Sequence, residues 1–121
     1  MRGYNAHQFA IELARVAEDN KCEDVTVLDL RGISGVCDFV VIGTGTSGRQ
    51  IGAVGEAVRA YGKKLGQVPY GYAGKENGVW LVVDYVDVVL HVFAKPYRGY
   101  YDLELLWGDA PRVDWARSES A

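Results

Sequence analysis

Two cysteines, Cys22 and Cys37, are all the thiol chemistry this chain of 121 residues offers, and neither sits in a C-x-x-C pair. A zinc site of that kind needs two more such ligands, and a disulfide needs an oxidising compartment. Reduced, partly buried thiols are the expectation. Also missing is any apolar run approaching the ~20 residues of a membrane span. The N-terminus, Met1-Arg2-Gly3-Tyr4, leads straight into an amphipathic pattern without the apolar stretch of a signal peptide. A soluble, cytoplasmic protein with no membrane contact follows. A continuous basic face is absent too: the 13 Lys and Arg are scattered apart from Lys63-Lys64, and the net charge is -3. Tight nonspecific binding to nucleic acid needs several phosphates neutralised along one face, so direct DNA binding is not expected. An acidic balance instead suits a basic protein partner.

What is present reads as one compact domain over residues 1–111, large enough to fold on a single core, followed by a loose tail over 112–121. Ala6, Phe9, Ala10, Leu13, Val16 and Ala17 recur at helical spacing, with Asn5 placed to cap the first turn and Asn20 near the end. Short β-branched runs over Asp24–Leu30 and Val36–Gly43 predict two strands. The cluster Thr44-Gly45-Thr46-Ser47-Gly48 then turns the chain into a second helix, with Ser47 as N-cap and Gly66 as the stop. Gly52, Gly55 and Gly62 inside that helix each cost about 1 kcal/mol relative to alanine. Either something packs very close to them or the helix is simply weak. Val68–Tyr72 fits a short strand, Val79–Asp84 and Asp87–Ala94 fit two dense ones, and Pro96 opens a tail helix ending at Gly108 and Pro111. The fold class is α/β, with helices flanking a mixed, five-stranded sheet whose hairpin supplies antiparallel pairing.

The hairpin carries the most informative pattern. With Tyr85-Val86 as a two-residue turn, Asp84 faces Asp87 and Trp80 faces His91. Alternation then puts Trp80, Val82, Asp84, Asp87, Val89 and His91 on one face and Leu81, Val83, Val88, Leu90 and Val92 on the other. The second face is aliphatic core. The first mixes an aromatic anchor with carboxylates and an imidazole, which are costly to bury without partners and suited to an interface. The competing reading has Trp80 packed under a helix and His91 satisfied locally. Tyr97, Arg98, Tyr100, Tyr101, Leu103, Leu106 and Trp107 add a dense aromatic tail, with Leu103 and Leu106 read as core and the tyrosines and Trp107 as contact surface.

Catalytic readings find little support. Along a strand Asp87 and His91 stand roughly 13 Å apart, too far for one ion to bridge, so no metal site is expected. The Gly45-Thr46-Ser47 turn is similar to the phosphate-holding turn of nucleotidyltransferases, but the chain has no D-x-D pair to hold magnesium and no P-loop lysine. A metal-dependent nucleotidyltransferase with a divergent site is therefore the second reading, behind a binding protein that is not an enzyme and carries no cofactor.

A wider pattern sharpens this. Asp38-Phe39-Val40-Val41-Ile42, the Gly43–Ser47 turn, Arg49-Gln50, Trp80, Asp84-Tyr85, Asp87-Val88-Val89 and His91-Val92-Phe93 follow one another in order. After them come Arg98, Tyr100-Tyr101-Asp102-Leu103-Glu104, Leu106-Trp107 and Asp109-Ala110. Together they resemble the Iojap-like ribosomal silencing factor family over most of the chain. The resemblance implies a sheet related to the nucleotidyltransferase fold without its catalytic carboxylates. It implies binding to large-subunit ribosomal protein fourteen at the intersubunit face, which sterically blocks subunit joining and represses translation under nutrient limitation, and a homodimer when free. On it, Trp80, Asp84, Tyr85, Asp87, His91, Tyr100, Tyr101 and Trp107 fall at characteristic positions, and the alternation argument adds Val89. The chain departs from the pattern at Val86, where the family usually has glycine. It departs again at Gly52, Gly55 and Gly99, where residues are commonly charged or helix-forming.

Overall fold

The computed structural model describes residues 5–74, 78–99 and 102–117. The chain runs α1 (Ala6–Asp19), β1 (Glu23–Asp29), β2 (Phe39–Gly45), α2 (Gly48–Lys64), β3 (Gly71–Ala73), β4 (Trp80–Asp84), β5 (Val88–Ala94), α3 (Lys95–Arg98) and α4 (Leu103–Leu106). The strands form one mixed sheet in the order β1-β2-β5-β4-β3. Only β2 and β5 pair in parallel; the other neighbours are antiparallel.

Both long helices begin where their caps dictate. The Asn5 side chain accepts the Gln8 N–H at 2.9 Å, and Ser47 Oγ accepts that of Gln50 at 3.0 Å. The second helix ends in a Schellman motif: Gln67 N–H reaches Gly62 O, Gly66 N–H reaches Lys63 O, and Gly66 takes a φ of +74°. The three helical glycines divide. A Cβ at Gly55 would stand 2.3 Å from the Tyr72 hydroxyl and one at Gly62 would stand 2.6 Å from that of Tyr85, whereas Gly52 meets nothing within 4 Å. Close packing accounts for the first two; Gly52 only weakens the helix.

The sheet separates two apolar layers. Phe9, Leu13 and Ala17 of α1 and Ile51, Val54 and Val58 of α2 pack on Phe39, Val41, Leu81, Val83, Leu90 and Val92. On the other side Leu28, Val40, Ile42, Val89 and Phe93 cluster with Leu30, Cys37 and Ala110, with Trp80, Val82, Leu103 and Trp107 half-buried at the margin. Strand β2 is buried along its whole length, as a central strand covered on both faces must be. The two cysteines are free and lie in different layers, and burial pushes each thiol up to about 11.

Three expectations are corrected. The hairpin pairs Asp84 with Val89, Val82 with His91 and Trp80 with Phe93, two residues out from the expected register. The two-residue turn sits one position later, at Val86-Asp87: the Tyr85 N–H donates to Val88 O around it, Tyr85 is buried under the helices, and the Asp87 carbonyl is held by the N–H groups of Asp38 and Phe39. An even shift keeps every side chain on its expected face. The single tail helix is two short ones. Residues 112–117 are not loose: Leu28 bridges Arg112, Val113 N–H donates to Val27 O, Trp115 Nε1–H donates to Val25 O at 3.1 Å, and Arg117 holds Asp19 with two bonds.

Candidate docking surface

On the face away from α1 and α2, the edge of the sheet toward β4 is only half covered. Trp80, Val82, Asp84 and His91 are all half-buried there, above a floor made by Val89 and the fully buried Phe93. The indole and the imidazole brace one another across the strands. Trp80 Nε1–H donates to His91 Nδ1 at 3.1 Å, and the Trp80 ring lies 5.0 Å from that of Phe93. His91 in turn stacks on Phe93 at 6.1 Å with the planes 7° apart. Burial pushes the His91 pKa down to about 4, against a smaller upward pull from Asp84. The ring is thus neutral at pH 7. A neutral imidazole that accepts at Nδ1 carries its proton on Nε2, so one donor remains on this face.

Asp84 lies on this face in β4. The Cys37 thiol is raised first by burial and then by the negative charges of Asp84, Asp38 and Asp87. Asp87 is exposed in the turn, as a rim residue should be. The C-terminal segment supplies the other side. Asp102 caps α4 by accepting the Leu105 N–H at 3.0 Å, and Leu103 and Trp107 pack half-buried on the layer below. Arg98 fixes this segment to the sheet: its guanidinium donates to Thr44 Oγ1 at 2.9 Å, to the Asp24 carbonyl, and to Glu104 Oε1 at 3.1 and 3.2 Å. Leu105 and Leu106 are left 78% and 68% exposed, with Tyr97 at 40%.

Trp80, Asp84 and His91 therefore lie on one side of the sheet, as alternation places them; Asp87 is in the turn, and Trp107 packs half-buried on the same layer. Val89 is the floor of that face and not its surface. Tyr85 is on the other side: its ring meets Phe9 edge-on at 4.9 Å, its hydroxyl donates to Val58 O, and burial pushes its pKa up to about 12. The assumed two-residue turn had put it at an exposed corner. Tyr100 and Tyr101 lie outside the described residues. Leu106, expected in the core, is exposed, and Leu105 escaped notice altogether. Consecutive positions on a helix point about 100° apart, so a Leu-Leu pair in a four-residue helix on a surface cannot be wholly buried.

The glycine turn before α2 is filled by the protein itself. Thr46 N–H donates to Gln50 Oε1 at 3.0 Å, Gln50 Nε2 donates to Asn20 O at 2.7 Å, and a Cβ at Gly45 would stand 2.2 Å from Ile51 Cγ1.

Fold and face define a small mixed α/β domain with a half-covered aromatic face, bearing Trp80 and His91, on one side of its sheet. Comparison with known proteins gives the family. A family model described as "Ribosomal silencing factor during starvation" matches residues 4–121, and the chain belongs to that family. It is 38% identical to the ribosomal silencing factor RsfS of Halalkalibacterium halodurans over 110 residues, covering 90% of this chain and 94% of that one. It is 40% identical to the RsfS of Bacillus subtilis over 101 residues, covering 84% and 86%. The chloroplastic protein Iojap of Arabidopsis thaliana is 39% identical over 107 residues, 88% of this chain but 44% of the plant protein. A crystal structure of a Chromobacterium violaceum protein superposes with a TM-score of 0.79 at 34% identity, covering 93% and 94% of the two chains.

Proposed function

We propose that this chain is a ribosomal silencing factor that docks on the large subunit through ribosomal protein fourteen. Bound at the intersubunit face, it sterically blocks joining of the small subunit and represses translation under nutrient limitation. The observation that carries the reading is the half-covered face of Trp80, Val82 and His91 over Phe93, with Asp84 beside them in β4 and Asp87 exposed in the adjoining turn. An aromatic anchor on a rigid floor is the usual energetic centre of an interface, and a carboxylate rim favours a basic partner. The exposed Leu105 and Leu106 extend that surface, and Tyr100 and Tyr101 belong to it on the family resemblance. In the free protein the same apolar residues favour a homodimer. Its site of action is read as the cytoplasm from its likeness to bacterial ribosomal silencing factors.

Nucleotidyl transfer is disfavoured by the filled turn, where Gln50 and Ile51 take the space and the hydrogen bond a phosphate would use. The protein is read as acting by binding alone, without cofactor. Cosedimentation with separated large subunits tests the reading. Trp80→Ala should weaken binding by about 2 kcal/mol, roughly thirtyfold. Leu106→Glu, at a position with little packing to lose, should weaken it as well and shift the free protein toward monomer. Undiminished affinity in both variants would sink the docking face.

A further inference from the structure

Most cations of the described chain are paired at home. Arg15 meets Glu12, Arg31 meets Asp29, Arg117 meets Asp19, and both Arg98 and Arg112 meet Glu104. Lys63 and Lys64, in the last turn of α2, make no ion pair among the described residues. Arg59, one turn earlier, reaches Glu56 only at 3.8 Å and lays its guanidinium over the Tyr72 ring at 4.6 Å. Among the described residues Lys21 and Arg49 are also without an ion pair, but each stands alone, whereas Lys63, Lys64 and Arg59 place positive charge together beside one particular feature.

That feature is a groove of about 400 Å³ between α2 and the segment returning to β3, lined by Arg59, Ala60, Lys63, Val68 and Pro69 together with Glu56 and Gln67. Its outer wall is held in place by the Schellman motif at Gly66 and by the Tyr70 N–H bonded to Asp84 O at 2.6 Å. On that wall Val68 is 79% exposed, and Tyr70, just beyond Pro69, is 83% exposed. β3 is the end strand of the sheet, whereas the opposite edge, at β1, is covered by the bridge to Arg112. The groove lies on the α2 side, where Tyr72 packs with the helices, and is separate from the Trp80 face.

We infer that this groove is a second docking site, for an extended acidic segment of another protein. The segment adds as a strand beside Gly71–Ala73, sets apolar side chains against Val68 and Tyr70, and brings its carboxylates to Lys63 and Lys64. A nucleic acid backbone could meet the lysines but offers no apolar side chains to the wall, so a peptide is the better match.

The inference does not rest on the ribosome reading, and its test uses the full ¹⁵N-labelled chain. The probes are a ten-residue peptide of alternating glutamate and valine and, in a second arm, a ten-nucleotide uridine RNA. The peptide should shift amide signals within residues 59–73. Its affinity should fall at least tenfold with Lys63→Glu and Lys64→Glu combined, and likewise with Val68→Glu, which alters an exposed side chain. The inference is overturned by an absence of shifts at millimolar peptide, by shifts elsewhere, by unchanged affinity in those variants, or by tighter binding of the RNA to the same residues.

Discussion

Val86 sits at a φ of +74°, with the Asp87 N–H bonded to Tyr85 O across it and its own N–H held by Asp84 Oδ1 at 2.7 Å. A three-residue turn with its centre in that region is rare, and a β-branched residue there is strained by about 1–3 kcal/mol. Because its side chain is 54% exposed, little packing offsets the strain. Val86→Gly should therefore raise stability by roughly 1 kcal/mol after allowing for the greater freedom of glycine when unfolded, seen as a higher urea midpoint. A lower midpoint would show that the turn is not strained.

His91 gives a second residue-scale prediction. Its folded pKa of about 4 lies below the ordinary 6.5, so between those values the unfolded chain binds more protons. The stability tied to its neutral form is fully present above pH 6.5 and is lost as pH falls toward 4, at most about 3 kcal/mol. Urea unfolding of wild type and His91→Gln over that range checks it: the variant should lose less stability than wild type. Parallel losses would place the imidazole in solvent. The sequence announced that Trp80 and His91 share a face. It set them directly opposite one another, whereas they bond along the diagonal, because the turn sits one residue later and Trp80 pairs with Phe93.

At the scale of elements, local chemistry is the legible part. Asn5 and Ser47 cap the helices they precede, Gly66 stops α2, and the alternation in β4 and β5 assigns both faces correctly although the register is off by two. That error was harmless because side-chain parity has period two. The stretch after Pro111 was illegible for a different reason. Its sequence is short, polar and without period, and what orders it comes from far away in the chain: Arg15 donates to the Trp115 and Ala116 carbonyls, and Trp115 reaches Val25. No window of neighbouring residues contains those partners. Trp115→Ala should consequently destabilise the protein by about 2 kcal/mol, through lost packing and one lost hydrogen bond, measured by thermal or urea unfolding. An unchanged midpoint would mean that the segment contributes nothing in solution. Arg98 belongs at this scale too, as the side chain that joins α3, α4, β1 and β2 and so sets the height of Trp107 above the sheet.

For the whole molecule, the division of labour runs through the sheet. Helices cover one face, with Tyr72 half-buried at its β3 edge, while the other is closed at β1 and β2 and left half open at β4. Tyr85 and Leu106 exchange places relative to the sequence reading, one going under the helices and the other coming to the surface, and the exchange leaves the proposed face more coherent. Its aromatic centre and Asp84 lie on one side of the sheet, the side on which Leu103 and Trp107 of the C-terminal segment pack. The direct test is joining of purified ribosomal subunits followed by sedimentation, with the protein added to the large subunit first. The account predicts that joining falls as the protein approaches saturation and recovers when Leu106→Glu replaces the wild-type chain. Undiminished joining at saturating wild-type protein would contradict it.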